Sequence, residues 1–179
     1  MQNPSLHFKY HLLAVFLFML NSLLAQEKMP TDSTATKTID GTVKEVLHII
    51  SGEKGKVRDW VAFRNLFLPS VRFTILNQFD KMPDAVETVT LDEFIELMND
   101  TYYGEGFIEY EIGKVVDEYN GIAQVFQSFY AKDSEDSEGR GITSYQLVYF
   151  NNRWWIANLV WSIETEDHPI PPKYLNNQN

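Results

Sequence analysis

The apolar residues of the first half of this chain recur at helical spacing. From Ile39 to Ile50 they fall three or four residues apart, which predicts an amphipathic helix that ends at Ser51-Gly52. A shorter helix is predicted to begin after Asp59 as its N-cap and to stop before Pro69. Thr90 with Glu93 three residues later is the pattern of a capping box, so a third helix is expected to follow and to end near Tyr103-Gly104.

The second half changes to the alternation of apolar and polar residues that is typical of strands. Asn120-Gly121 and Asn151-Asn152 each separate two long alternating segments, which predicts two hairpins with two-residue turns. Helices that precede strands predict an α+β fold with one antiparallel sheet. The expected strands are 71–75, 107–119, 122–132, 142–150 and 153–163.

The first 25 residues have the pattern of a secretory signal peptide. Lys9 precedes an apolar run over residues 12–20, and polarity changes abruptly after Ala25. We therefore expect a signal peptide over 1–25, a disordered polar lead-in over 26–36 and one domain over 37–175, located in the periplasm or secreted. An uncleaved membrane anchor is the alternative, although the run is shorter than the ~20 apolar residues that span a bilayer.

Charge and cysteine content exclude several classes of function. The formal net charge is −10, so the chain repels nucleic acid, and after cleavage we expect no membrane partner. Cysteine is absent, which removes disulfides and thiol nucleophiles. His48 and His168 have no metal-ligand spacing, and we expect neither a metal nor a cofactor.

Three segments resemble bacterial members of the nuclear transport factor 2-like superfamily, which includes SnoaL-like and ketosteroid-isomerase-like proteins. They are Arg58–Phe67, Gly106–Ile112 and Arg153–Ile156. The resemblance covers residues 37–175 and implies a cone, in which a strongly curved sheet wraps round the helices and leaves a pocket inside. It also implies dimerisation and suggests an exported branch, but it does not fix the chemistry, since one fold serves many functions.

Candidate catalytic residues are few. The resemblance to the isomerase branch implies a carboxylate on the strand after the second helix, but Phe73–Leu76 contains no acid, which argues against isomerase chemistry. Glu109 and Glu111 lie two residues apart, the spacing that places a carboxylate pair on one face of a strand. Ordinary solvent-exposed charge is the favoured interpretation of this pair. Glu109 with Tyr110 is the best remaining candidate for catalysis, and Asp117 is an alternative.

Candidate binding residues follow from the two turns, because a two-residue turn fixes which residues of the two strands lie opposite each other and share a face. In the second hairpin one such face carries neutral polar residues among aromatic ones, as in a small-molecule pocket. The alternative is that these polar groups only satisfy hydrogen bonds in the core. Arg64 is a further candidate, for an anionic ligand at the mouth of the cone, although a surface salt bridge is the favoured interpretation. The two predicted faces are Ile142, Ser144, Gln146, Val148, Trp155, Ala157, Leu159 and Trp161, and, in the first hairpin, Tyr110, Ile112, Val125, Gln127 and Phe129.

The leading hypothesis is an exported domain that binds a small, largely apolar molecule and is not an enzyme. An acid–base lyase, isomerase or hydrolase and a protein-interaction module are the alternatives. For the binding domain we expect no carboxylate inside the cone with a strongly raised pKa. A homodimer is expected through the opposite face of the second hairpin, formed by Tyr145, Leu147, Tyr149, Trp154, Ile156 and Val160.

Overall fold

A computed structural model of the chain describes residues 34–77 and 85–175. The predicted signal peptide and the lead-in up to residue 33 lie outside these residues. The last residues of the predicted lead-in are ordered, since Thr34–Lys37 forms a 3₁₀ turn in which Thr36 is buried. None of the helices in the described ranges has the length and apolarity needed to span a membrane.

The helices begin where the predicted caps are. Helix α1 (Ile39–Ile50) ends at Ser51, and α2 (Trp60–Arg64) begins after Asp59, whose side chain accepts a hydrogen bond from Ala62 N at 2.8 Å. The capping box of Thr90 and Glu93 is present at the start of α3 (Leu91–Met98). A separate short helix, α4 (Thr101–Gly104), follows it.

The strands of the described residues form one mixed sheet in the order β1-β4-β5-β6-β7-β2-β3. The long hairpin strands match the prediction, but β1 and β3 were not expected. The expectation of a purely antiparallel sheet was wrong, because β2 pairs in parallel with β7. The strands are β1 (Gly52–Glu53), β2 (Phe73–Asn77), β3 (Ala85–Val89), β4 (Gly106–Tyr119), β5 (Ile122–Asp133), β6 (Glu138–Phe150) and β7 (Arg153–Ile163).

Both predicted two-residue turns are confirmed. Asn120 and Gly121 have φ angles of 44° and 84°, and Asn151 and Asn152 have φ angles of 51° and 60°. Two successive residues with positive φ define a type I′ turn, whose twist matches that of the flanking strands.

Two β-bulges change which residues reach the interior. In β4 the register passes from Glu111, opposite Phe129, to Gly113, opposite Ser128, so Ile112 is the extra residue. In β7 Ile156 lies opposite Leu147 and Asn158 lies opposite Gln146, so Ala157 is the extra residue. Side chains on the far side of each bulge therefore point to the other face from the one that simple counting predicts.

The predicted faces of the second hairpin were wrong for another reason, since the face that was expected to point outward packs against the helices. Tyr145, Leu147, Trp154 and Ile156, expected on the outer dimer face, are buried in the core. Of the proposed dimer residues only two are exposed, namely Tyr149 and Val160.

Aromatic rings fill much of the space between the helices and the sheet. Phe63 of α2 packs against Phe67 with ring centroids 4.9 Å apart, and Phe73 of β2 stacks on Phe94 of α3 at 4.4 Å. A centroid distance of 5.7 Å between Phe63 and Phe94 joins the two pairs. This cluster connects α2, β2 and α3 into one core.

The substitution Phe63→Ala tests how much this aromatic cluster contributes to the stability of the fold. Phe63 is fully buried, so we expect a loss of about 3–5 kcal/mol in the free energy of unfolding, from lost apolar contacts and the cavity left behind. Val61→Ala on the same helix is the matched control, since Val61 is 67% exposed, and it should cost less than about 0.5 kcal/mol. Equal losses in urea unfolding would contradict the description of the core.

Candidate functional site

An open groove of about 440 Å³ lies between the C-terminal half of α1 and residues 108–111 of β4. In the described part of the chain, β4 has a strand partner on this side only at Gly106 and Phe107, where β1 pairs with it. The groove therefore follows the edge of the sheet. Its lining residues are Lys44, Leu47, His48, Ser51, Gly52, Glu53, Lys56, Ile108, Glu109, Tyr110 and Glu111.

Ser51 connects the helix to this edge. As the C-cap of α1, it lies beside Glu109, and its Oγ both accepts a hydrogen bond from Glu109 N and donates one to Glu109 O, each at 2.8 Å. One side chain thereby satisfies the two backbone groups that a neighbouring strand would otherwise pair. The backbone of Glu109 is held in place by the end of α1.

The side chain of Glu109 points to the interior side of β4, because the bulge at Ile112 sets the register of this part of the strand. The residue is partly accessible, although the surrounding protein shields its carboxyl group from much of the solvent. Burial raises the pKa of Glu109 to about 8. No hydrogen bond or ion pair from the described residues reaches this carboxyl group. The expectation that no interior carboxylate has a strongly raised pKa was therefore wrong.

Glu111, two residues further along β4, has partners for both carboxylate oxygens. Lys114 Nζ donates to its Oε1 at 2.7 Å, and Gln127 Nε2 donates to its Oε2 at 2.7 Å. Tyr145 in turn donates to Gln127 Oε1 at 3.2 Å. The favoured interpretation of Glu109 and Glu111 as solvent-exposed charge was wrong for both, since the pair lies beneath α1.

Lys114 also links this network to α1, with 2.5 Å between its Nζ and Asp40 Oδ1. Burial alone would raise the pKa of Asp40, but hydrogen bonds from Lys114 and Lys44 outweigh it and lower that pKa. Burial likewise opposes the charge on Lys114, yet its hydrogen bonds to Asp40 and Glu111 raise its pKa. The cation is thus committed to two carboxylates, neither of which is Glu109.

Two tyrosines lie near the carboxyl group of Glu109. Burial, and then the charge of Glu109, raises the pKa of Tyr103 on α4. The same two causes, burial first, raise the pKa of Tyr145 on β6. The surroundings of Glu109 therefore combine tyrosine side chains with apolar residues such as Leu47, and they provide no cationic partner.

The structure separates the residues that were predicted to line a pocket. Gln127 is interior and belongs to the network of Glu111. Trp161 is also on the interior side, where its ring packs edge-on against Phe94 at 6.2 Å. Tyr110 lines the groove but lies opposite Tyr130 and is 50% exposed, on the other face of β4 from Glu109.

The remaining candidates lie elsewhere. Ser144 is on the outer face of β6, where its Oγ accepts a hydrogen bond from Gln124 Nε2 at 2.6 Å. Gln146 shares that face and is exposed. Arg64 forms a surface ion pair with Asp92. The groove does not include these three residues.

Sequence reasoning missed the contribution of α1 to the groove. The sequence predicted Ser51 only as the end of the first helix, and Leu47 only as part of the apolar face of that helix. One signal was available for β4, since the isolated Gly113 within a strand pattern indicates a bulge. In the described ranges, no group of histidine or acidic side chains has the arrangement of a metal site.

Comparison of the structure with solved structures identifies the fold. The chain is similar to a putative scytalone dehydratase from Novosphingobium aromaticivorans (TM-score 0.52, 12% identity, covering 79% of this chain and 92% of the other). It is also similar to the hexachlorocyclohexane dehydrochlorinase LinA type 2 (TM-score 0.51, 10% identity, 73% and 89% covered). A third similar structure is a protein of unknown function with a cystatin-like fold from Nostoc punctiforme (TM-score 0.51, 10% identity, 72% and 95% covered).

No family model and no curated protein matches the sequence. The dehydratase and the dehydrochlorinase belong to the nuclear transport factor 2-like superfamily, so the described residues adopt the fold that the sequence resemblance implied. At these levels of identity the likeness concerns the fold and not the reaction.

Replacement of Glu109 by Gln should change how stability depends on pH. The folded protein binds this proton more tightly than the unfolded chain, in which the pKa is near 4.5, so wild-type stability is full below pH 4.5 and is lost as pH rises to about 8. Because the shift of the pKa from 4.5 to about 8 sets the size of this loss, we expect Glu109→Gln to gain about 4 kcal/mol relative to wild type between pH 5 and pH 8.5.

Urea unfolding at several pH values measures this difference. Glu118→Gln is the control, because Glu118 is an exposed carboxylate on the same strand, and it should leave the pH profile unchanged. A constant difference between Glu109→Gln and wild type from pH 5 to pH 8.5 would show that Glu109 has an ordinary pKa.

Proposed function

We propose that this protein binds a small, largely apolar molecule in the groove between α1 and β4, with Glu109 as its principal polar contact. The observation that carries the proposal is Glu109, a groove residue whose carboxyl group is largely shielded from water and has no partner in the described residues. Buried polar groups in proteins are almost always paired, so an unpaired one in a groove indicates a place for a ligand.

The form of the groove supports this proposal. Leu47 and Ile108 supply apolar surface, and several of the polar side chains around them are engaged within the protein. A recess that combines apolar surface with a few polar groups free to contact a ligand is the usual composition of a small-molecule site. Lys56, for example, donates to the carbonyl oxygens of Ser51 at 2.7 Å and His48 at 3.2 Å.

Acid–base catalysis at the same site is the second candidate function. It is favoured by one observation, the pKa of about 8 of Glu109, because a general acid or base works best when its pKa is close to the working pH. Two of the structurally similar proteins are named as a dehydratase and a dehydrochlorinase, so this fold accommodates elimination chemistry in other chains.

Export and dimerisation remain part of the proposal. Support for export is the apolar run over residues 12–20 with the polar switch after Ala25. A dimer through the outer sheet face would now use Val160, without the four residues that lie in the core and without Tyr149, which lies opposite Trp154 on their side of the sheet.

A neutral probe, 1-naphthylmethanol, tests binding in the groove. We expect amide signals of residues 44–52 and 108–111 to shift on titration in two-dimensional NMR spectra. Ile108→Ala should weaken binding about three- to tenfold, since it removes apolar contact area from the lining. The matched control is Ile122→Ala, because both isoleucines are exposed (46% and 57%) but Ile122 is not among the groove residues. Shifts confined to other surfaces, or equal effects of the two substitutions, would contradict the proposed site.

A further inference from the structure

The two inward-facing carboxylates of β4 differ in their partners. Glu111 is held by Lys114 and Gln127, whereas nothing in the described residues neutralises Glu109. Two acids of the same type on one strand face thus provide an internal comparison. Both carboxylates belong to residues that line the groove, but the protein supplies a cation only for Glu111.

The positive groups around the groove are committed elsewhere. Lys44 pairs with Asp40 at 3.0 Å, and Lys56 is bonded to carbonyl oxygens at the end of α1. Lys114 is shared between Asp40 and Glu111. No ammonium group of the described residues is therefore directed at Glu109, and none is presented for an anionic ligand. The titratable and charged groups around Glu109 are Lys44 and His48 on α1, Glu53 and Lys56 in the segment after it, Tyr103 on α4, Tyr110 and Glu111 on β4, and Tyr145 on β6.

We propose that the ligand is an organic ammonium ion with an apolar body, whose cationic group pairs with Glu109 while its body lies against Leu47 and Ile108. This inference rests on the proposed function and names the chemical class of its ligand. A buried carboxylate is stabilised when an opposite charge lies within hydrogen-bonding distance. A bound ammonium group would therefore neutralise Glu109 in the way that Lys114 neutralises Glu111. The net charge of −10 favours the approach of a cation over that of an anion.

Binding of such a ligand releases a proton. With a pKa of about 8, Glu109 carries its proton in roughly nine of ten molecules at pH 7, and the ammonium ion binds the ionised form. Binding at pH 7 should therefore release about 0.9 proton per ligand. A neutral ligand that accepts a hydrogen bond from the protonated group would release none.

Two probes that differ in one group test this inference, 1-naphthylmethylamine and 1-naphthylmethanol. By isothermal titration calorimetry in phosphate and in Tris at pH 7, we expect the amine to bind at least tenfold more tightly and to release about 0.9 proton. Amine affinity should rise about fiftyfold from pH 6 to pH 8 and then level off above the pKa of Glu109. Glu109→Gln should abolish the preference for the amine over the alcohol, whereas Glu118→Gln should preserve it.

Any other result contradicts either the ligand class or the proposed function. If the alcohol, or 1-naphthoate as an anionic probe, binds as tightly as the amine, or if the amine binds without proton release, the ligand class is wrong while the groove remains a binding site. If none of the three compounds shifts the signals of the groove residues, the proposed function itself fails, and the ligand class falls with it. The pH dependence of the wild-type protein keeps the test valid should Glu109→Gln fail to fold.

Discussion

The alternation of side chains along β4 is the constraint from which the site arises. Residues two apart on a strand share a face, so the register that brings Glu111 under α1 brings Glu109 there as well. The protein neutralises one of these carboxylates with Lys114 and fixes the backbone of the other through Ser51. A proton balances the second charge, so the two carboxylates differ in how they are neutralised.

The aromatic core and the site are separate parts of the same sheet. Phe63, Phe73 and Phe94 fill the space beneath α2 and α3, at the β2 and β7 side, whereas the groove lies at the opposite edge beside β4. The apolar packing can therefore hold the helices without closing the groove. At the edge, one serine replaces the strand that would otherwise cover the backbone of β4, and this leaves room for a ligand.

Local sequence signals predicted most of the elements, but not which face the decisive side chains occupy. N-caps, the capping box and the two turns depend on neighbouring residues, and each was found where the sequence placed it. The interior face depends on the bulges at Ile112 and Ala157, and counting from a turn fails once one residue is inserted. Strand β3 and the parallel pairing of β2 were not predicted either, because contacts between segments that are distant in sequence determine them. The groove was missed because it joins α1 to a strand edge more than fifty residues later.

Direct titration of the side-chain carboxyl carbons by ¹³C NMR is the measurement that tests the central claim, the distinct state of Glu109. The signal that disappears in Glu109→Gln should titrate with a midpoint near pH 8 in the free protein. Saturation with 1-naphthylmethylamine should lower that midpoint by more than one pH unit, since a bound cation favours the ionised form. A midpoint near 4.5 in the free protein would mean that the carboxylate is solvated, and it would contradict both the buried site and the ligand inferred from it.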